Sequence, residues 1–362
     1  MNKKIRLCLV APVPPPYGGI GNWVLLLKKH SENNKKIEMN IIDTAPKSRG
    51  LDGRNLWDRV VVQGWQMFCK CRELIHIIKD FQPNLVHITT SGQLSLIRDI
   101  FLLKIAKKKG IPSVYHIHFG RSPEIAKKQT FEWKFMAKVM NLASVVMVID
   151  NETYDAIRQY LPNVNVTCLP NPIDILNLPA PIDSSSKTIM FLGWVIKTKG
   201  IEELLLAWEQ VYKDYDEWKL RIVGPCNDKY MNYLRSQYSF SGVIYEGEKN
   251  HEGAMKLLNL SEIFIFPSYT EGFPNAVLEA MAFSKPIIAT RVGAIPDMLA
   301  DGCGILIDSK APEEIAIELR NLIDSESKRF FFGDNAYRKL CKEYTIGNVF
   351  NRYMHEWEKL SE

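Results

Sequence analysis

At 362 residues, the chain is long for one domain and sufficient for two, each able to bury its own core. A hydrophobic fraction of 46% with 24% charged residues is typical of a folded globular protein and excludes a disordered chain. The net charge of +5 is unevenly distributed, since residues 1–180 carry 25 Lys and Arg against 14 Asp and Glu, and the remainder carries 21 against 27. These opposite balances indicate two domains with different partners.

The chain lacks the features of a membrane-spanning or metal-binding protein. No apolar run approaches the roughly 18 residues of a membrane span, and the apolar run at 7–10 is too short for a signal peptide. The only close cysteine pair among seven, Cys69 and Cys71, has no second pair that would complete a zinc site. We interpret the cysteines as reduced core thiols, and we expect a cytoplasmic protein.

The first half of the chain alternates strands and helices. Apolar runs typical of buried parallel strands are predicted at 5–11, 38–43, 85–89, 113–118 and 144–149. Helical patterns lie between them at 22–30, 55–79, 94–109 and 124–141. Such a series predicts a mostly parallel, doubly wound sheet with ligand sites at the carboxyl ends of its strands.

Two features of this half are candidates for a ligand site. Gly18 and Gly19 follow the first strand, where glycine either lets the backbone approach a phosphate or forms a turn into the helix. The spacing is not that of the complete dinucleotide-binding fingerprint. His116 and His118 lie at the end of another strand, and strand alternation places them on one face, although the strand may also end between them.

A segment rich in Pro, Asp and Ser, at 171–187, marks the domain boundary. We expect an N-terminal domain at 1–175 and a C-terminal domain at 187–344, with a last helix at about 345–362 packing back on the first domain. Strands of the second series are predicted at 188–193, 219–224, 243–247, 262–267, 286–290 and 304–308, and helices at 202–212, 312–323, 328–343 and 349–360.

Glu271 and Glu279, with seven residues between them, lie at the predicted start of a helix in the second domain. If Pro274 is the first helical residue, Phe273 is the cap, and its side chain cannot accept a hydrogen bond from the first free amides. Those amides and the helix dipole can bind a phosphate, and the two carboxylates can bind hydroxyl groups. A nucleotide sugar carries both kinds of group.

The ordered set of motifs resembles the retaining glycosyltransferases of sequence family four, the glycosyl transferases group 1. This family has the GT-B fold, in which two Rossmann-like α/β domains face each other across a cleft. The second domain carries the more specific half of the match. The matching residues run the length of the chain: Tyr17 to Ile20, Phe191 to Gly193, Lys199 and Gly200, Ile222 to Gly224, Phe266 to Ser268, Glu271 to Ala282, Pro286 to Thr290, and Gly293.

The resemblance implies roles for several residues. Lys199 would neutralise the donor diphosphate as it leaves, Glu279 would bind the ribose hydroxyls, and Glu271 would bind those of the transferred sugar. His118 would approach the donor sugar near the reacting centre, so the implied catalytic residues are His118, Lys199 and Glu271. The implied donor-binding residues are Gly18, Gly19, Gly193, Lys197, Gly224, Gly272, Phe273, Pro274, Asn275 and Glu279.

Two further positions concern this match. Asn171 and Asp174 correspond to an Asn-x-x-Asp pattern at the domain junction, where a structural role is expected. Many relatives place an arginine directly after the glycine equivalent to Gly193, and here the residue is Trp194. An indole cannot replace a bidentate guanidinium, so Lys197 or another basic residue compensates, or diphosphate binding is weaker.

The resemblance also implies a mechanism. Retention without an enzymic nucleophile suggests front-side attack, with the leaving phosphate taking the acceptor's proton. The two glutamates are then not a glycosidase acid and nucleophile pair. No Asp-x-Asp lies beside the site, so we expect metal independence and no cofactor besides the nucleotide sugar, a UDP- or GDP-sugar, as co-substrate.

The acceptor is expected to be a glycan or a lipid-linked sugar of surface polysaccharide biosynthesis. Basic stretches at 98–109 and 127–140 mix lysines with aromatic residues, a composition that suits the inner membrane surface or a core helix with a solvated face. No exposed stacking platform for nucleic acid is predicted.

Two alternative functions are a nucleotide-sugar 2-epimerase of similar architecture and a catalytically silent nucleotide-sugar-binding subunit. A dehydrogenase is disfavoured because the glycine loop lacks the dinucleotide-binding fingerprint.

Overall fold

The computed structural model describes residues 4–15, 18–45, 56–90, 92, 95–179, 182 and 186–362. Contacts divide the chain into two compact units. The first unit comprises Met1–Pro172 together with Ile346–Glu362, and the second comprises Ile173–Thr345.

The first unit contains a six-stranded sheet in which all neighbouring strands are parallel. Its strands are β1 (Ile5–Ala11), β2 (Ile37–Asp43), β3 (Leu85–Thr90), β4 (Ser113–Ile117), β5 (Val145–Val148) and β6 (Val166–Cys168). The strand order β2-β1-β3-β4-β5-β6 reverses direction between β1 and β3. In such sheets, ligands bind outside the carboxyl ends of the strands at this reversal.

Helices connect these strands in the order expected of parallel crossovers. They are α1 (Gly19–Glu32), α2 (Leu56–Asp80), α3 (Ser95–Lys108), α4 (Ser122–Lys127), α5 (Phe131–Met140) and α6 (Asn151–Tyr160). The single helix predicted at 124–141 is wrong, because the backbone turns at Gln129, whose φ is +48°. Thr130 then caps α5 by accepting a hydrogen bond from the Trp133 amide at 3.1 Å.

The second unit contains another six-stranded parallel sheet. Its strands are β7 (Thr188–Leu192), β8 (Lys219–Val223), β9 (Val243–Gly247), β10 (Ile263–Phe266), β11 (Ile287–Thr290) and β12 (Ile305–Ile307). The order β12-β11-β10-β7-β8-β9 places β7 beside β10, and the direction of the winding reverses at this pair. Residues that follow β7 and β10 therefore meet at one edge of the sheet.

The connecting helices of the second unit are α7 (Ile201–Tyr212), α8 (Asp228–Gln237), α9 (His251–Leu260), α10 (Asn275–Ala282), α11 (Ile295–Met298), α12 (Pro312–Ile323) and α13 (Glu326–Glu343). Short 3₁₀ turns occupy Ile175–Asn177 and Lys197–Lys199. The sequence had not predicted the helices α6, α8, α9 and α11 or the strand β6.

The last helix, α14 (Ile346–Ser361), packs on the sheet of the first unit. Its buried side chains recur at helical spacing and join the core formed by β1, β3 and α1: Val349, Phe350, Tyr353, Met354 and Trp357. Full burial of a large apolar side chain contributes about 1.5–3 kcal/mol. The opposite face of the sheet is covered by a second core beneath α3, α5 and α6.

The predicted fold class, two doubly wound parallel α/β domains, is confirmed by the two sheets. Among the described residues, no helix has the length and apolarity of a membrane span.

All seven cysteines are free thiols. The interpretation of them all as core thiols is wrong, since only Cys8 and Cys303 are buried and Cys69 is exposed.

Candidate active site

The loops after β7 and β10 carry the candidate residues of the second unit. Gly193 follows β7, and its amide donates to the Val223 carbonyl at 2.9 Å. A Cβ on Gly224, which follows β8, would lie 1.9 Å from the Gly193 carbonyl oxygen. Only glycine therefore fits at 224, because its backbone and that of Gly193 are almost in contact at the carboxyl edge of the sheet.

A close backbone approach also positions Lys199. The following residue, Gly200, has a φ of +69°, and a Cβ there would lie 2.0 Å from the Pro267 carbonyl oxygen. The Tyr269 amide donates to the Thr198 carbonyl at 2.9 Å, which joins the same two loops. The loop after β7 is thus fastened to the loop after β10, and Lys199 is held beside Glu271.

Lys199 and Glu271 form an ion pair between Nζ and Oε1. Their side chains are only 21% and 11% exposed, so water screens the pair weakly. The ammonium also lies 5.2 Å from the centre of the Phe266 ring. The two residues implied to be catalytic in this unit, 72 positions apart in the chain, are therefore brought together.

The start of α10 differs from the prediction. Pro274 is the cap, with φ −76° and ψ 115°, and Asn275 is the first helical residue, so Phe273 is not the cap. The fixed φ of proline suits either position, and its extended ψ makes it the cap here. Proline has no side-chain acceptor, so these amides still receive no side-chain hydrogen bond. The Val277 amide donates to the Pro274 carbonyl at 3.1 Å, so the anion-binding argument now rests on the amides of Asn275 and Ala276.

Gly293 holds the segment before α10 in place. It has a φ of +56°, and a Cβ there would lie 2.4 Å from the Glu271 carbonyl oxygen and 2.6 Å from that of Gly272. The Ala294 amide donates to the Gly272 carbonyl at 2.8 Å. The backbone that carries Glu271 is therefore fixed from the neighbouring strand β11.

Glu279 lies on the first turns of α10, and its side chain has a partner that the sequence did not predict. His251 Nε2, on the first residue of α9, lies 3.1 Å from Glu279 Oε1. This hydrogen bond raises the pKa of His251 above its ordinary value. No signal in the sequence identifies His251, because α9 itself was not predicted.

Trp194 and Lys197 lie in the segment between β7 and α7. Trp194 is 58% exposed. Lys197 Nζ lies 3.4 Å from Glu202 Oε2, and Glu202 also accepts a hydrogen bond from the Tyr230 hydroxyl at 3.1 Å. Lys197 is therefore already paired, and Lys199 is the less exposed of the two lysines.

Gly18 and Gly19 lie at the start of α1 in the first unit. Gly18 is the cap, its φ of 179° suits any residue, and no side chain caps the helix. A Cβ at either position would meet no atom within 4 Å. Among the described residues, neither the backbone nor the space around these positions requires glycine, so their role in donor binding stays a prediction.

His118 directly follows β4 and belongs to a group of three histidines, which we call the histidine cluster: His87, His116 and His118. His116 is fully buried in β4, and its Nδ1 lies 3.1 Å from His118 Nε2. His87, on β3, was not predicted, although its strand neighbours β4. Burial lowers the pKa of His87 and of His118 to about 3 and that of His116 well below its ordinary value.

At the unit boundary, Asp174 has a structural contact, whereas Asn171 Oδ1 has no hydrogen-bond partner among the described residues. Asp174 Oδ1 accepts a hydrogen bond from the Leu176 amide at 3.1 Å and so caps the turn Ile175–Asn177. Asn171 is buried. Within the described residues, no group of three or more His, Cys, Asp or Glu side chains could hold a metal ion.

Curated proteins similar to this chain include glycosyltransferases of Methanocaldococcus jannaschii and Staphylococcus aureus. An uncharacterized glycosyltransferase of Methanocaldococcus jannaschii is 28% identical over 176 residues, which are 48% of this chain and 45% of that protein. The capsular polysaccharide biosynthesis glycosyltransferase CapM of Staphylococcus aureus is 25% identical over 182 residues, 47% of each protein. The chain thus spans about half the length of these relatives.

Solved structures share the whole fold at low sequence identity. Sucrose-phosphate synthase from Thermosynechococcus elongatus superposes with a TM-score of 0.79 at 14% identity, over 99% of both chains. The Anabaena protein HepE, in complex with UDP, superposes with a TM-score of 0.74 at 16% identity, over 98% of this chain and 100% of that one. These likenesses confirm the predicted GT-B architecture.

Two family models match the chain in succession. The model described as Glycosyltransferase Family 4 matches residues 17–175. The model described as Glycosyl transferases group 1 matches residues 178–339. The chain belongs to the group 1 glycosyltransferases.

Proposed function

We propose that this chain is a retaining glycosyltransferase that moves a sugar from a UDP- or GDP-sugar to a glycan or lipid-linked acceptor in surface polysaccharide biosynthesis. The observation that carries the proposal is the Lys199–Glu271 pair beside the start of α10, at the strand reversal of the second sheet. A cation for the diphosphate, uncapped amides and a carboxylate for hydroxyl groups meet there.

The donor class is supported by the site and by a structural neighbour. HepE of Anabaena is described in complex with UDP and with UDP-glucose. In this chain, Glu279 would bind the ribose and Lys199 the diphosphate, at the edge where α/β sheets bind nucleotides. No cofactor beyond the donor is required by these assignments.

For the reaction, the leaving nucleoside diphosphate gains charge as the glycosidic bond breaks. Lys199, held close to that position by Gly200, would stabilise this charge without rearranging. Glu271 has a cationic partner and would bind sugar hydroxyls, so neither glutamate is assigned as a general acid. We expect front-side attack with retention and no requirement for a divalent metal.

The acceptor side is supported by an exposed apolar and basic face on α2 and α3. Ile97, Phe101, Lys104 and Lys108 recur at spacings of four, three and four on α3, and all four are exposed. On α2, Trp65 and Phe68 are exposed, with ring centres 6.0 Å apart. Such a face suits an anionic membrane surface that presents a lipid-linked acceptor.

Most of the apolar side chains of the basic stretches lie in the core, as the interpretation of a core helix with a solvated face expects. Phe131, at the start of α5, is 85% exposed, whereas Trp133, Met136 and Met140 are buried.

A vesicle assay tests the membrane proposal: Phe68→Glu and Phe101→Glu should weaken sedimentation with anionic vesicles. The matched variant Phe330→Glu, at an exposed phenylalanine of the second unit, should sediment with the vesicles as wild type does. Equal binding by all three variants would contradict the membrane proposal.

Transfer itself is tested by nucleoside diphosphate release and by proton NMR of the product anomer. Wild type should transfer with retention, and Glu279→Ala should lose donor binding. Inversion at the anomeric carbon, or unchanged activity in Glu279→Ala, would contradict the proposal.

A catalytically silent subunit is the second candidate function, and Trp194 favours it because diphosphate binding lacks the expected arginine. It predicts nucleotide binding without turnover. The epimerase alternative predicts conversion of the donor in the absence of any acceptor, so incubation with donor alone distinguishes it.

A further inference from the structure

One continuous chain of hydrogen bonds joins the histidine cluster to α14. Trp357 Nε1 donates to His87 Nδ1 at 3.1 Å. His87 Nε2 lies 3.2 Å from His116 Nδ1, which in turn lies 3.1 Å from His118 Nε2. All four side chains belong to the first unit. The chain therefore connects a buried residue near the C-terminus to the histidine proposed to meet the donor sugar.

Each ring of the cluster carries a single proton at neutral pH. Burial is the main cause that lowers the pKa of all three histidines, and their mutual repulsion lowers it further for His87 and His116. In a neutral imidazole, one nitrogen donates a hydrogen bond and the other accepts one. The role of one nitrogen thus decides the role of the other.

The direction of the hydrogen bonds follows from Trp357. An indole N–H can only donate, so His87 Nδ1 accepts and the proton of His87 lies on Nε2. His87 Nε2 then donates to His116 Nδ1. His118 Nε2 lies against the same single lone pair of His116 Nδ1, and a second lone pair there would repel it. His118 Nε2 therefore carries its proton and shares this acceptor with His87 Nε2, and the lone pair of His118 lies on Nδ1.

The buried end of His116 does not distinguish the two tautomers. Its proton must lie on Nε2, which is buried and has no hydrogen-bond partner among the described residues. A lone pair at the same place would be equally unpaired, so the contacts of Nδ1 alone decide the tautomer. Within the described part of the chain, His118 Nδ1 forms no hydrogen bond, and the residue is partly exposed.

We propose that Trp357 and His87 are positioning residues that fix the tautomer of His118 with its proton on Nε2, so that Nδ1 accepts a hydrogen bond from a sugar hydroxyl. The identity of the ligand rests on the proposed function, whereas the tautomer does not. In the opposite tautomer, Nδ1 would carry a proton and could only donate. The C-terminal helix, which packs on the same face of the sheet, thereby determines the hydrogen-bonding role of His118.

A second buried tryptophan provides a matched control. The Trp23 ring centre lies 5.6, 5.3 and 5.0 Å from those of His87, His116 and His118. Its Nε1 donates to the Tyr353 hydroxyl at 3.2 Å and not to the cluster. Trp23→Phe therefore removes a buried indole N–H and loosens packing on the same rings without removing the donor at the head of the chain.

The test is nitrogen-15 NMR of the histidine rings in the full-length protein without ligand, which shows which nitrogen carries each proton. His118→Ala assigns the His118 signals. In wild type we expect the proton of His118 on Nε2. In Trp357→Phe, the form protonated on Nδ1 should rise about fivefold or more, as expected when one ordinary hydrogen bond is lost, whereas Trp23→Phe should match wild type.

Two results would overturn the proposal: a proton on Nδ1 of His118 in wild type, or an unchanged tautomer in Trp357→Phe. If Trp357→Phe does not fold, the wild-type spectrum still decides the direction of the hydrogen bonds. The measurement involves no substrate. A failure of the proposed transfer reaction would therefore leave this result in place, and the converse also holds.

Discussion

Gly200 and Gly247 form a natural pair for testing how the Lys199 loop is held. Both glycines lie in the second unit, and both have a φ of +69°. A Cβ at Gly247 would meet nothing within 4 Å, whereas a Cβ at Gly200 would lie 2.0 Å from the Pro267 carbonyl oxygen. Substitution by alanine therefore imposes the same backbone strain at both positions and a steric clash at only one.

The magnitudes follow from these two terms. A left-handed conformation costs an alanine about 1–2 kcal/mol, so Gly247→Ala should reduce the free energy of unfolding by that amount. At Gly200, the two loops must also separate by about 1 Å, and overpacking of this kind costs a further ~1–3 kcal/mol. We expect Gly200→Ala to be destabilised by about 2–5 kcal/mol in total.

Urea denaturation of both variants measures this difference. Because both residues lie in one unit, comparing the variants cancels the contribution of the other unit to the unfolding curve. The displaced Lys199 should also weaken nucleotide-sugar binding in Gly200→Ala and not in Gly247→Ala. Equal midpoints and equal donor affinities in the two variants would refute the loop packing argued here.

Three further predictions concern charge and pH. In a nucleoside diphosphate release assay, Lys199→Met should reduce kcat/KM by about 10²–10³-fold, the usual loss when one group that stabilises developing charge is removed. The control variant Lys249→Met removes a lysine that is paired with Glu246 in the same unit, and it should retain activity. The His251–Glu279 hydrogen bond raises the pKa of His251. It therefore stabilises the fold below about pH 6.5, and this contribution is lost as the pH rises through the raised pKa. The difference in the free energy of unfolding between wild type and His251→Ala should shrink with rising pH, and a constant difference would contradict this prediction. Burial lowers the pKa of His87 and His118 to about 3, whereas the same histidines in the unfolded chain bind protons near pH 6.5. Each of the two should therefore reduce the free energy of unfolding by about 1.4 kcal/mol for every pH unit below 6.5. Urea midpoints at pH 7.5 and 5.5 measure this loss, and the control variant His76→Gln, at an exposed histidine, should show the same loss as wild type.

Much of the fold could be predicted because its signals are local. Apolar runs gave eleven of the twelve strands described above to within about two residues. The missed helices α6, α8 and α9 are short and carry polar faces, and the missed elements α11 and β6 have only four and three residues. The break at Gln129 has no Pro or Gly to signal it. Pro274 was placed one position too far into its helix, because the φ of proline is the same at the cap and at the first helical residue.

The site was predictable in its parts and not in its pairings. Lys199 and Glu271 were identified separately, and their ion pair depends on β7 lying beside β10, a neighbour relation between strands far apart in the chain. The contact between His251 and Glu279 and the hydrogen bonds of the histidine cluster depend on side-chain positions in three dimensions. No periodicity or spacing in the sequence encodes them.

The most direct test of the proposed function is a thermal-shift screen of nucleoside diphosphate sugars against wild type and Glu279→Ala. A donor present at about 100 times its Kd adds roughly 2.7 kcal/mol of stability. We expect a UDP- or GDP-sugar to raise the Tm of wild type and to have a much smaller effect on Glu279→Ala. If no nucleotide sugar stabilises wild type, or if both proteins respond equally, the proposed donor site is contradicted.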